Sequence, residues 1–294
     1  MADATPGPGA RSSLRGSRTV VLTRPAGQSN ALAAALLRQG WQVCDWPALL
    51  LTGLPALDVP VPDAFELVVF VSGNAVRFYS QQLACVGATQ TDWPDGVPTA
   101  TVGLGSARAV HECFGSTVRV IHPPAEAPAF DSEALWAELE RQGLAPTRVL
   151  IVRGGQGAEG QGRNWLAGQF ARSGAEVTLH AAYRRAAAVW PAQRLDQMRA
   201  WQEHGVRPAW LISSREGLEA VLAQAGERAV LAGWQGARVL APHPRIAQAI
   251  ASRAASCGIA TRQVSGPAPE PDPQAIMIQT CMPHDEAVLE AIVN

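Results

Sequence analysis

One punctuation mark recurs along this chain and constrains the fold more than any other feature. Five times a helical stretch stops at a glycine and a short β-rich run begins. Leu32–Gln39 stops at Gly40 before Trp41–Leu51, and Ala107–Phe114 stops at Gly115 before Thr117–Ile121. Ser132–Gln142 stops at Gly143 before Arg148–Val152, and Asn164–Ser173 stops at Gly174 before Ala175–Leu179. Pro244–Cys257 stops at Gly258 before Ile259–Val264. A glycine closes a helix in the left-handed conformation without a Cβ penalty. Helices that alternate with short apolar strands build parallel sheets flanked by helices. Val20–Leu22, Leu67–Val71 and Val149–Val152 are apolar at every position, the pattern of strands covered on both faces. Leu32, Leu36 and Leu37 form an apolar stripe on the first helix; Leu135 and Leu139 do so behind Asp131, a predicted N-cap.

At 294 residues the chain is long enough for two domains. Two extended runs break the α/β rhythm. Trp41–Pro55 contains Pro47, which lacks an N–H and so favours an edge strand. Glu176–Val189 is extended and apolar and is followed by Pro191. Read as two antiparallel connectors, they divide the chain into a discontinuous first lobe and a second lobe formed by its middle. Two sequential halves satisfy the same periodicity. Residues 1–17, rich in Pro, Gly, Ser and Arg and without an apolar h-region, read as a disordered tail rather than a secretory signal.

Composition excludes several classes of function. The formal charge is −1, whereas a general polyanion binder is strongly basic, so no nucleic-acid partner is expected. All 24 basic residues are arginine. The absence of lysine excludes Schiff-base chemistry with pyridoxal phosphate and removes the lysine a P-loop needs. The five cysteines lack any C-x-x-C spacing, which fits free thiols in a cytoplasmic protein. No run reaches about 18 apolar residues, so no membrane association is expected. The six histidines show no metal-ligand spacing, and no H-E-x-x-H or G-x-S-x-G occurs. Gly103-Leu104-Gly105 begins like a dinucleotide fingerprint, but Arg108 stands where a third glycine is needed.

What remains is the placement of small polar residues directly after strands and at helix starts. Six turns share this: Thr23-Arg24-Pro25, Ser72-Gly73-Asn74, Gly103–Ser106, Arg153-Gly154-Gly155, Ser213-Ser214 and His243–Arg245. Open α/β sheets bind ligands at the carboxyl ends of their strands. Free backbone N–H groups and the helix dipole favour anions there. Ordinary N-capping accounts for any one of the turns; six of them suit a ligand with several carboxylates. Tyr183, one of two tyrosines, sits on the second connector in Ala-Ala-Tyr-Arg-Arg, where two readings stand: a phenol facing a cleft that donates a proton or hydrogen bond to a leaving hydroxyl, or an interface aromatic whose hydroxyl is satisfied by backbone.

In this order the stretches resemble the uroporphyrinogen-III synthase family. VVLTRPAGQSNALAAALLRQGWQVCDWPALLL resembles its opening, FELVVFVSGNAVRFY its second-lobe strand, turn and helix, and ATVGLGSARAVHECFG its strand–Gly–x–Gly–Ser/Thr–helix unit. RVLIVRGGQG followed by GRNWLAGQFARSGAEVTLHAAYRR is the strongest stretch, and VLAPHPRIAQAIASRAASCG resembles the final βα unit. The resemblance runs from about residue 18 to 281. It implies an α/β fold of two doubly wound parallel-sheet lobes joined by a two-stranded connector, with residues 18–46 and 185–294 in the first lobe and 47–184 in the second.

The resemblance also implies a hydro-lyase that needs no cofactor or metal. Hydroxymethylbilane, a linear tetrapyrrole with eight carboxylates, loses its hydroxyl as water through a spiro intermediate. It closes with the last ring inverted to uroporphyrinogen III, in haem biosynthesis. By analogy Tyr183 is the donor at the hydroxyl. Thr23, Arg24, Ser72, Asn74, Ser106, Arg153, Gly154, Arg163 and Ser214 are expected carboxylate contacts. Either His243 or Arg245 replaces the threonine contact the family often has, or Arg245 simply caps its helix, and an insertion within Gly157–Gly162 lengthens the Gly-rich loop. A monomer is expected. Two other classes share parts of the pattern: a non-catalytic two-lobed sensor of a small polycarboxylate, and a two-lobed sugar transferase.

Overall fold

The computed structural model describes residues 18–55, 58–87, 93–124, 127, 130–155, 161–265 and 272–294. The expected disordered tail lies outside the described residues, as does most of the Gly157–Gly162 insertion. Two compact units result, one running up to Leu50 and resuming over Ala187–Asn294, the other Leu51–Ala186.

The first unit holds a six-stranded, wholly parallel sheet. Its order is β11(Ala260–Val264), β12(Ala275–Thr280), β10(Arg238–Ala241), β9(Ala209–Leu211), β1(Thr19–Leu22) and β2(Gln42–Asp45). Successive residues of β1 point to opposite faces. Val21 joins Trp210, Val239 and Ile276 on one face, under α7(Arg215–Ala223), α8(Glu227–Gly233) and α9(Pro244–Ser256). Val20 and Leu22 join Leu211 and Leu240 on the other, under α1(Asn30–Arg38) and α10(Asp285–Val293). The run is uniformly apolar because both of its faces are core.

The second unit repeats the arrangement. Its sheet has the order β3(Leu49–Gly53), β8(Glu176–Ala187), β7(Arg148–Gly154), β4(Leu67–Phe70), β5(Thr99–Thr101) and β6(Val120–Ile121). Val68, Phe70, Leu150 and Val152 pack with α2(Gly73–Cys85) and α3(Leu104–Phe114). Leu67, Val69, Val149 and Ile151 pack with α4(Ser132–Arg141) and α5(Gln161–Arg172). Strands β8 through β6 are parallel to their neighbours. The exception is β3 against β8. Leu54 N donates to Ala182 O at 3.0 Å and Ala188 N to Ala48 O at 2.8 Å, so the two strands run in opposite directions.

The predicted helix-closing glycines all have positive φ: 77° at Gly40, 99° at Gly115, 67° at Gly143, 92° at Gly174 and 73° at Gly258. The extended run Trp41–Pro55 is two strands rather than one. It breaks at Trp46–Ala48, around Pro47, and the two pieces become edge strands of different sheets. Glu176–Val189 forms one long strand, β8, over most of its length. Four elements escape the sequence reading: α6(Ala192–Glu203), α8, β12 and α10. Among the described residues no helix is long and apolar enough to cross a membrane.

A buried polar clamp ties the antiparallel pair to α2. Gln82 Nε2 donates to Leu54 O at 2.7 Å and Ala182 O at 3.4 Å, while its Oε1 lies 2.7 Å from Nε2 of the buried His180. An amide oxygen only accepts, so His180 carries its proton on Nε2. Burial holds the His180 pKa below the ordinary imidazole value. The unfolded imidazole takes up a proton at about pH 6.5, before the folded one does. Stability therefore falls as pH drops through that value, and urea midpoints between pH 7.5 and 5.5 should show the fall. His180→Gln should flatten the profile.

Candidate functional site

Parallel strands align their carboxyl ends, so each sheet gathers its strand-to-helix turns along one edge. In the second unit the neighbouring strands β7, β4 and β5 end at Arg153-Gly154, Ser72-Gly73-Asn74 and Gly103–Ser106. The starts of α2 and α3 abut: a Cβ on Gly73 would meet Ala109 Cβ at 3.5 Å and Gly105 O at 3.7 Å. Ser72 is the N-cap of α2, its Oγ accepting from Ala75 N at 3.2 Å. Asn74 and Ser106 are half-buried in the first turns of α2 and α3. Arg153 is half-buried near the end of β7. Arg163 falls in the first turn of α5, but its side chain lies outside the described residues.

Tyr183 belongs to this group. A bulge between Arg153 and Gly154 sets Gly154 opposite Tyr183 rather than opposite Ala182. The phenol ring lies between Gly154 and Phe78. Phe78 stacks on it at 5.1 Å and 18°, and a Cβ on Gly154 would fall 3.0 Å from Tyr183 Cζ. The hydroxyl is held by two side chains: Ser72 Oγ at 3.1 Å and Arg185 Nη2, which donates to it at 2.7 Å. The sequence reading has the phenol facing a cleft; in the structure Tyr183 is 0 % exposed. The other tyrosine, Tyr79, donates to Pro60 O, and burial pushes its pKa up.

The first unit places its predicted residues at the ends of β1, β9 and β10. Several are already engaged. Thr23 Oγ1 donates to Leu211 O at 2.6 Å and is buried, so this hydroxyl fastens β1 to β9. Arg24 forms an ion pair with Asp285 in the first turn of α10. Ser214 caps α7 by accepting from Gly217 N at 2.9 Å. His243 caps α9, its Nδ1 accepting from the backbone N–H of the exposed Arg245 at 3.0 Å.

Sequence reasoning missed three residues. Arg185 carried a signal: two positions after Tyr183 on a strand, it shares the phenol's face. His284 and Asp285 begin α10, where His284 Nδ1 accepts from Ala287 N at 3.2 Å. The signal there was a strand followed by Pro-His, since Met282-Pro283-His284 repeats Ala241-Pro242-His243. Among the described residues no group of three or more His, Cys, Asp or Glu side chains is placed to hold a metal ion.

The chemistry of the second unit's edge is a buried phenol backed by a guanidinium, beside two helix N-termini. Such an edge has the chemistry to accept carboxylates on N–H groups and to supply mild acid. The Gly154 contact is tight enough to test. Gly154→Ala must move the phenol ring or the β7 backbone, and overpacking of this kind costs about 1–3 kcal/mol. Thermal unfolding should show a lowered Tm for Gly154→Ala, whereas Gly105→Ala, with nothing within 4 Å of its added Cβ, should not.

Comparison with known proteins gives a consistent set of similarities. The sequence model of the family Uroporphyrinogen-III synthase HemD matches residues 30–264. The uroporphyrinogen-III synthase of Synechococcus elongatus is 32 % identical over 173 residues, 56 % of this chain and 60 % of that protein. The enzyme of the same name from Salmonella typhimurium is 29 % identical over 193 residues, 64 % of this chain and 72 % of that protein. Among solved structures, a mutant uroporphyrinogen III synthase from Thermus thermophilus aligns with TM-score 0.49 and 14 % identity, over 90 % of this chain and 92 % of that one. The Helicobacter pylori uroporphyrinogen-III synthetase aligns with the same score and identity over 94 % and 98 %.

Proposed function

The chain belongs to the uroporphyrinogen-III synthase family, and on that premise we propose that it cyclises hydroxymethylbilane to uroporphyrinogen III with loss of water and inversion of the last pyrrole ring. The match over residues 30–264 carries this reading. It spans both units and includes every candidate turn except that of Thr23 and Arg24.

The chemistry asks for what these edges offer. The substrate carries eight carboxylates and closes spontaneously to the wrong isomer. The protein therefore has to hold one conformer, which proximity and orientation accomplish. Backbone N–H groups at the starts of α2 and α3 in one unit, and of α7 in the other, bind carboxylates without a large positive charge. The pyrrole nitrogens help to expel the hydroxyl, so mild acid assistance suffices. Tyr183 supplies it, with Arg185 offsetting the negative charge that its oxygen gathers as the proton leaves. Arg24 contributes to substrate binding only if a carboxylate displaces Asp285.

The test generates hydroxymethylbilane in situ, adds the protein, oxidises the products and separates the porphyrin isomers. Type III in excess over the protein-free control is the expected result. Type I alone from folded protein would overturn the reading and leave a polycarboxylate sensor as the better account.

A further inference from the structure

The hydroxyl hydrogens around Tyr183 can be placed by accounting alone. Tyr183 is 0 % exposed, so its phenol proton needs an acceptor within the protein. Its oxygen has two neighbours, Arg185 Nη2 at 2.7 Å and Ser72 Oγ at 3.1 Å. A guanidinium only donates. The phenol proton therefore goes to Ser72 Oγ. That oxygen also accepts from Ala75 N at 3.2 Å, so both of its lone pairs are occupied. Ser72's own hydrogen has no acceptor among the described residues, and the serine is half-buried at the N-terminus of α2. A proton can leave this cluster only from Ser72.

Resting on the activity proposed above, we propose that Ser72 is the catalytic acid that touches the substrate's leaving hydroxyl. Tyr183 stands behind it as the proton source, and Arg185 positions and electrostatically supports the phenol. In the step, the Ser72 O–H bond breaks toward the substrate oxygen while the Tyr183 O–H bond breaks toward Ser72 Oγ. The C–O bond breaks with its electron pair on oxygen, water departs, and the lone pair of the adjacent pyrrole nitrogen fills the carbon. The phenolate left beside Arg185 is reprotonated back through Ser72, which takes up the proton the tetrapyrrole sheds when its pyrroles regain aromaticity. The net change is loss of one water, with no oxidant or reductant. The positive end of the 13-residue helix α2 lies at Ser72, where it favours the transient negative charge on Oγ.

The test measures kcat and KM for type III formation in the wild type, Ser72→Asn, Ser72→Thr, Tyr183→Phe and the Ser72→Asn/Tyr183→Phe double variant. Asparagine keeps the cap of α2, which protects folding, but offers no acidic proton. Ser72→Asn and Tyr183→Phe should each lower kcat about 10²-fold, the low end of general acid catalysis, with KM little changed. Ser72→Thr should retain most of the rate. Groups acting in series are not additive, so the double variant should be no slower than the slower single one. Wild-type kcat in Ser72→Asn, or a double variant whose loss is the product of the single losses, would overturn the relay. Failure of the wild type itself to make type III would instead overturn the activity, so the two failures are distinguishable.

Discussion

Strand β8 is hydrogen-bonded along both edges, parallel to β7 and antiparallel to β3, and most of the architecture depends on this double pairing. Because β3 and β8 run in opposite directions, the chain leaves the first unit along one and returns along the other. That is why the first unit is discontinuous in sequence. The pairing with β7 carries the bulge at Arg153 and Gly154, which sets a glycine against the ring of Tyr183. Gln82 and His180 clamp the same strand pair to α2, whose N-cap is Ser72. The relay is thus held from both ends by one strand and one helix.

On the proposed activity, a chain without lysine and with formal charge −1 has to recognise a polycarboxylate with little free charge. Its strand ends answer with helix N-termini. Side chains there are largely committed to the fold: Thr23 fastens β1 to β9, Arg24 pairs with Asp285, and Ser214 and His243 cap their helices. Recognition of carboxylates by backbone suits an enzyme whose task is conformational, because rigid elements hold N–H groups in place more firmly than long side chains do.

The fold was largely legible in the sequence. The helix-closing glycines predicted from punctuation all have positive φ, and the uniformly apolar runs are strands with core on both faces. What escaped was α6, α8, β12 and α10. Residues Ala192–Glu203 are polar around most of the helix, with only Met198 and Trp201 buried, so no apolar stripe announced α6. β12 pairs between β10 and β11 although it follows both, an insertion that local pattern does not encode. The turns could be placed from sequence, but not their partners. Tyr183 was found, whereas its burial and its contact with Ser72 depend on a pairing 111 residues apart. The Arg185 contact is only two residues away, and strand periodicity alone would have reached it.

In the relay the phenol proton of Tyr183 points at Ser72, and the proton of Ser72 points away from the phenol. Neutron diffraction from a deuterated crystal reads this without any assay. Nuclear density for a deuteron on Tyr183 Oη is expected along the line to Ser72 Oγ, with the Ser72 deuteron directed away from the phenol. A Ser72 deuteron lying between the two oxygens would contradict the relay.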